Sequence, residues 1–278
     1  MKPKHLYLLF ACTLLLATIL WIIWGNTALE VSTYQIPHAL LPEAFDGYRI
    51  AHISDLHNTQ IGKNNKRLLS MLREAEPDMI AITGDLIDSR RTDTAVSLAF
   101  VREAVKIAPC YYVPGNHESR IAAYDAFKED LIDAGVTVLE DAQVPIVRSD
   151  ASITVLGVKD PAFSDDPDAA VIDAALAALS PGTDDFTVLL SHRPELFERY
   201  VKHGINLVFS GHAHGGQFRL PLLGGLIAPN QGFLPKYDSG LYTALDTNML
   251  VSRGIGNSLF PFRFNNRPEI ILVELRCL

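Results

Sequence analysis

The residues of this chain best suited to binding metal ions stand at the ends of short apolar runs. Ile50-Ala-His-Ile-Ser leads into Asp55-Leu-His57, Met79-Ile-Ala-Ile-Thr into Gly84-Asp85, and Tyr111-Tyr-Val-Pro into Gly115-Asn116-His117. Val188-Leu-Leu-Ser leads into His192, and Leu207-Val-Phe-Ser into Gly211-His212-Ala-His214. Apolar runs bounded by glycine and turn residues are the pattern of buried strands in a parallel sheet, and ligands collect at the carboxyl ends of such strands. The pattern therefore predicts one rim carrying Asp55, His57, Asp85, Asn116, His192, His212 and His214, with His117 beside them. Metal ions held at such a rim would let even an acidic protein bind a phosphate ester, because the ions supply the positive charge.

Each residue alone has an ordinary role. An aspartate after a strand caps a turn or helix, Gly-Asp is a turn signal, Asn116 suits a left-handed turn, and His57 suits a surface loop. Five separate strand ends bearing such side chains, in a chain with nine histidines, are not explained by turn chemistry. His5, His38, His52 and His203 lack that setting and are expected to be structural or exposed.

The elements that must position these residues follow from the rest of the chain. At 278 residues, 48% hydrophobic and 20% charged, the composition suits one catalytic domain with an apolar appendage. The net charge of −8 and the absence of a basic stripe argue against nucleic acid as a partner. Three cysteines, Cys12, Cys110 and Cys277, make no disulfide framework, and Cys110 reads as a small core residue.

From Leu6 to Trp24 no charged residue occurs, a length that spans a bilayer, and Trp21 and Trp24 suit its interfacial belt. A cleaved signal peptide would have a shorter apolar region and a small-x-small site, so residues 1–25 are read as an uncleaved single-pass anchor. Lys2 and Lys4 precede the span and the next Lys or Arg is Arg49. That places the N-terminus in the cytoplasm and the domain outside, the cytoplasmic face being the alternative. Residues 26–47 are expected to be a linker and a first strand (Val31 to Ile36), and 48–278 the catalytic domain. Helical patterns cover 64–76, 94–107, 119–134, 168–179 (ended by Pro181-Gly182) and 196–201. Strand patterns cover 136–139, 144–148, 153–158, 241–246, 248–252 and 268–275.

The ordered set Asp55-Leu-His57, Gly84-Asp85, Gly115-Asn116-His117-Glu118, His192 and Gly211-His212-Ala-His214 resembles the calcineurin-like metallophosphoesterases from about residue 48 to 275. The stretches Ser191-His-Arg-Pro-Glu195 and Gly211-His-Ala-His-Gly-Gly-Gln217 resemble the membrane-anchored bacterial branch of that family; Ala213 stands where a threonine is frequent. The resemblance implies an α/β fold, the four-layer αββα sandwich, behind the N-terminal transmembrane helix. It implies two divalent metal ions, one held by Asp55, His57 and His214 and the other by Asn116, His192 and His212, with Asp85 bridging. Carboxylate, imidazole and amide donors suit Mn²⁺, Fe or Zn²⁺ better than Mg²⁺. Water shared by two such ions becomes hydroxide near neutral pH, the nucleophile for a phosphodiester or pyrophosphate.

The resemblance also makes Asn116 and His117 catalytic, His117 as the general acid. Glu118 would either orient His117 or begin the following helix, where its charge is favourable. The Leu-, Gly- and Pro-rich stretch 218–229 is either a loop touching lipid beside the site or an ordinary buried loop. Arg253 and Arg263 would bind a second phosphate or form structural ion pairs. The expected substrate is a lipid-linked or envelope phosphoester, its competitors being a nucleotide or another small phosphodiester. A non-catalytic binding platform on the same fold would be expected to have lost some of these side chains, and none is missing.

Overall fold

The apolar runs form strands in two sheets rather than one. The computed structural model describes residues 3–179, 185–258 and 260–278; Lys2 and the Pro181-Gly182 helix stop lie outside the described residues. The first sheet runs, in spatial order, Glu30–His38, Glu269–Cys277, Arg49–Ile53, Met79–Thr83, Cys110–Val113 and Thr137–Val138. The second runs Gly240–Ala244, Thr247–Val251, Leu207–Ser210, Thr187–Leu190, Ala151–Gly157 and Ala142–Arg148. Both are mixed, and in each the strands that lead into the candidate ligands are parallel to their neighbours on that side of the sheet.

Met79–Thr83, Thr187–Leu190 and Leu207–Ser210 are buried at every residue, which is why they read as continuous rather than alternating apolar runs. On their inner faces Ile50, Met79, Ala81 and Val273 of the first sheet meet Val155, Val188, Leu190 and Phe209 of the second. The outer face of the first sheet is covered by α2 (Lys66–Glu74), α3 (Thr94–Ala104) and α4 (Tyr124–Asp133) through Leu68, Leu72, Phe100, Val101, Phe127 and Leu131. That of the second is covered by α5 (Asp168–Leu179) and α6 (Phe197–Lys202) through Ile172, Leu176, Phe197 and Tyr200. The layers are helix, sheet, sheet, helix, the expected αββα sandwich.

The expected helix over 119–134 is broken. Glu118–Arg120 is a single 3₁₀ turn, Ile121 is extended at φ −109° and ψ 129°, and α4 begins only at Tyr124. The Glu118 side chain is drawn inward. The first strand starts at Glu30 and pairs in parallel with Glu269–Cys277 along all nine of its residues, so the chain's two ends are stitched together. Ahead of it, α1 (Pro3–Thr27) buries only Gly25. Its 25 residues rise by roughly 37 Å, enough to cross the ~30 Å hydrocarbon core of a bilayer. The three cysteines are free.

Candidate metal centre

Where the two sheets meet, the strand ends bring their polar residues to a common point. The donor atoms of Asp55, His57 and His214 lie within 4.8 Å of one another, as do those of Asp85, His192 and His212. Asp85 stands between the groups, its Oδ2 3.6 Å from His57 Nε2 and 3.3 Å from His192 Nε2. Asp55 Oδ1 is 3.4 Å from His214 Nε2, and Asn116 Oδ1 is 3.2 Å from His192 Nε2. All seven side chains, and His117, are buried.

The backbone is bent to achieve this. Asp55, His57, Asp85, His212 and His214 have φ of 52°, 46°, 52°, 64° and 49°, the left-handed region that non-glycine residues seldom occupy and that persists where surrounding structure over-determines it. Here the restraints are visible. Asp55 N donates to Gly84 O, His57 N to Asp85 O, and Gly256 N to Asp55 O, while His212 N donates to the Asp55 carboxylate. The glycines of the motifs are required by close approach: a Cβ on Gly115 would lie 2.3 Å from Asp85 Oδ1, and one on Gly211 2.4 Å from Asp55 Oδ2.

Outer hydrogen bonds aim the imidazoles inward. His192 Nδ1 donates to Thr83 O at 2.7 Å and His212 Nε2 to Asn230 Oδ1 at 3.0 Å. That leaves the lone pairs of His192 Nε2 and His212 Nδ1 facing each other at 3.2 Å, the orientation such bonds impose on imidazoles that ligate metal. The Asn116 amide serves two ways. With its nitrogen inward it donates to His212 Nδ1 at 2.8 Å while its oxygen accepts from Arg120 at 3.2 Å. With its oxygen inward, three lone pairs share one point, and only a cation reconciles them. The donor set therefore fits a pair of divalent ions.

The charges agree. Burial opposes a charge on Asp85, but His192 outweighs it and holds the carboxyl well below the usual range. Asp55 is lowered likewise, burial being overcome by His214 and His57. Burial pushes His212 and His214 down to about 3, leaving them neutral, the form that ligates metal. Burial disfavours charge on His192 too, yet Asp85 carries its pKa up to about 10. Two buried carboxylates thus demand positive charge beside them, which a proton or a metal ion can provide.

His117 stands at the mouth. Its Nδ1 accepts from Ser89 N at 3.0 Å, so in the neutral ring the proton sits on Nε2, which lies 3.2 Å from Ser258 Oγ and 4.0 Å from Asp85 Oδ2. Burial lowers its pKa to about 4. The geometry also groups His117 with His57 and Asp85 at metal-donor spacing, but a ring nitrogen that carries a proton has no lone pair to give.

Glu118 begins a single 3₁₀ turn, but its carboxylate serves neither that turn nor His117. Wholly buried, it accepts with Oε2 from Asp85 N and Gly115 N, both at 2.8 Å, and with Oε1 from Ile87 N at 3.2 Å. It clamps the Asp85 loop to the Asn116 loop. Burial, then the charge of Asp85, push its pKa up to about 7. Glu118→Gln is expected to cost about 1.5–3 kcal/mol, the worth of a hydrogen bond to a charged group, because the amide turns a donor onto backbone N–H groups. Urea unfolding checks it, and an unchanged midpoint would contradict the clamp.

Arg253 and Arg263 resolve as structural. Arg253 pairs with Glu30 and Glu269. Arg263, fully buried, donates to the carbonyls of Arg253 and Gly256 and to Asn257 Oδ1. Other side chains reach the site that the sequence reading did not single out. Arg90, Arg120, Asn230 and Ser258 line, with His117, a cavity of about 220 Å³ over the centre. Asp88, also buried, lies 3.6 Å from His117 Nδ1 and is held by Arg90. Asn230 lies in the turn of a short ladder, where Pro229-Asn230 signals the turn but not its place beside the site; Ser258 arrives on a loop. The remaining histidines are structural or exposed: His52 bonds Thr83 Oγ1, His203 pairs with Asp173, His38 caps Leu40 N, and His5 lies on the open surface of α1.

The model of the Calcineurin-like phosphoesterase family matches residues 48–216. The uncharacterized metallophosphoesterase YkuE of Bacillus subtilis (strain 168) is 30% identical over 254 residues, covering 89% of this chain and 86% of its own length. Phosphodiesterase YaeI of Escherichia coli (strain K12) is 27% identical over 234 residues, covering 82% of each. Among solved structures, TT1561 of Thermus thermophilus has a TM-score of 0.53 at 15% identity, over 75% of this chain and 90% of that one, a likeness of fold alone. With that match and a buried Asp/His centre built for two ions, the chain belongs to the calcineurin-like phosphoesterases and is a phosphoric ester hydrolase.

Proposed function

We propose that this hydrolase is a membrane-anchored phosphodiesterase that cleaves a phosphodiester or pyrophosphate of a lipid-linked or envelope molecule. The observation that carries the reading is the position of Asp85 between two donor clusters, with a protonated His117 Nε2 at the mouth. In this reading Asp55, His57 and His214 would hold one ion and Asn116, His192 and His212 the other, Mn²⁺ before Fe or Zn²⁺, and Asp85 would be shared between them. Such a pair supplies charge for the phosphoryl oxygens and acidifies a water. With Nδ1 taken by Ser89 N–H and burial keeping the ring neutral, His117 is not a proton source; it aims its Nε2–H at the leaving oxygen as a hydrogen-bond donor that stabilises the charge developing there. Arg90 and Arg120 flank the mouth as cationic donors for substrate oxygens.

Diester chemistry is supported by the name of the YaeI relative. An apolar substrate portion is supported by a second cavity of about 290 Å³ beside His214, lined by Ile227, Ala228, Pro229 and Phe260. The helix α1 is apolar enough for a membrane anchor or a signal; we take it as the anchor, residues 1–25, followed by 26–47 and the catalytic domain 48–278 on the extracytoplasmic side. The test is hydrolysis of a chromogenic phosphodiester by the full chain before and after chelation. Turnover is expected to vanish with the metal and return with Mn²⁺; full turnover after exhaustive chelation would sink the reading.

A further inference from the structure

The end of α1 is wired to the catalytic mouth. Asn26 Oδ1 accepts from Arg263 N at 2.9 Å and Asn257 Nδ2 at 3.0 Å, and Asn26 Nδ2 donates to Arg263 O at 3.3 Å. The next residue after Asn257, Ser258, is 3.2 Å from His117 Nε2. The stretch around Asn257 and Arg263 therefore joins the last turn of the apolar helix to the catalytic imidazole.

That stretch is packed against the 216–234 segment, the other wall of the mouth. Phe218 sits edge-on to Phe260 and Phe262 at 5.4 and 5.6 Å, Gln217 donates to the carbonyl of Phe262, and Arg219 N donates to Phe264 O. The segment folds into two short ladders, 219–220 with 224–225 and 227–228 with 232–233. The first turn holds Leu222 and Leu223 out, at 105% and 63% exposure, and the second ladder ends in Phe233 and Leu234, at 73% and 50%. Phe262 and Ile227, at 39% and 41%, continue the patch. Exposed apolar surface of this kind marks an interaction site.

The surroundings indicate what covers it. The chain carries a net −8, yet cations gather where α1 ends. Arg267 stacks 5.0 Å over Trp24 and donates to the carbonyls of Ala28 and Leu29. Arg67 Nη1 reaches Thr27 O at 3.4 Å, with Lys63 and Lys66 exposed on the same stretch. A tryptophan at the end of a span with basic groups beside it is the signature of the headgroup layer.

We propose that the apolar turns around the mouth dock into the bilayer that α1 spans, so that a lipid phosphoester enters the centre without leaving the membrane. The apolar cavity beside His214 would then receive the first part of its hydrocarbon chain while the phosphate reaches the cavity lined by Asp85, Arg90, His117 and Arg120. Docking rests on α1 being a span, and the delivery of substrate rests on the phosphodiesterase reading above.

The experiment uses the full chain in nanodiscs of phosphatidylcholine and phosphatidylglycerol. An environment-sensitive fluorophore is placed by Phe233→Cys, and separately by Leu222→Cys, with Cys12→Ser and Cys277→Ser in the background. The control label is Val147→Cys, exposed at the end of its strand away from the rim. A quencher carried on lipid tails is expected to dim the Phe233 and Leu222 labels about threefold or more relative to the control, as burial at the acyl boundary requires. Quenching equal to the control, or protection from both lipid and aqueous quenchers as a second copy would give, overturns the proposal. Hydrolysis of the soluble chromogenic diester is followed in parallel. Lipid quenching without hydrolysis would support docking and count against the phosphodiesterase reading alone.

Discussion

Asp85→Ala is expected to bind neither ion stably and to lose phosphodiesterase turnover by more than about 10²–10³, the cost of losing one preorganised electrostatic group. The carboxylate contributes at three places. Its Oδ2 stands between His57 and His192, and its Oδ1 accepts the His117 backbone N–H at 2.8 Å. Truncation leaves Asp55 as the one carboxylate among the proposed ligands and frees the turn that carries Asn116 and His117. Asp85→Asn separates the two effects: it keeps an acceptor for His117 N–H but removes the charge. It is therefore expected to fold like the parent and still lose metal. Elemental analysis after dialysis reads the result directly. Two ions per chain retained in Asp85→Ala would refute the bridging role.

His117→Ala is expected to behave in the opposite sense, keeping its metal and losing about 10²–10³ in turnover, the cost of one preorganised hydrogen-bond donor to the developing charge. The tautomer is the reason, since Ser89 N–H occupies the ring's only lone pair at Nδ1. The loss should depend on the leaving group. An alkoxide gathers more charge on its oxygen as its bond to phosphorus breaks than a nitrophenolate does, and so depends more on a hydrogen-bond donor. The deficit is thus expected to be larger for an alkyl diester than for a nitrophenyl diester. Equal deficits would reduce His117 to a contact for the phosphoryl group, and loss of one ion would make it a ligand.

Much of the site was legible because strand periodicity and turn chemistry are local. Met79 to Thr83 reads as a buried strand from its own residues, and Gly84-Asp85 declares the tight turn that follows. The same holds for His192 and for Gly211-His212-Ala-His214, whose glycine has no room for a Cβ beside Asp55. Glu118 was misread for the complementary reason. A glutamate after Asn-His looks like the start of a helix, and only the approach of the Asp85 and Gly115 amides from other strands turns it inward.

The chain's residues alone determined which side chains stand at strand ends, that the fold alternates strands with helices, and that one N-terminal stretch is too apolar to be part of the domain's surface. Tertiary structure decided what depends on separations of many tens of residues. It divided the strands between two sheets, so that the rim forms across their junction. It assigned Arg253 and Arg263 to ion pairs and carbonyls instead of to substrate, and it brought Asn230 and Ser258 to the mouth from distant parts of the chain. Periodicity fixes where a side chain sits along its own element, but its partner is chosen only when distant elements pack and every buried charge or N–H must find a neighbour.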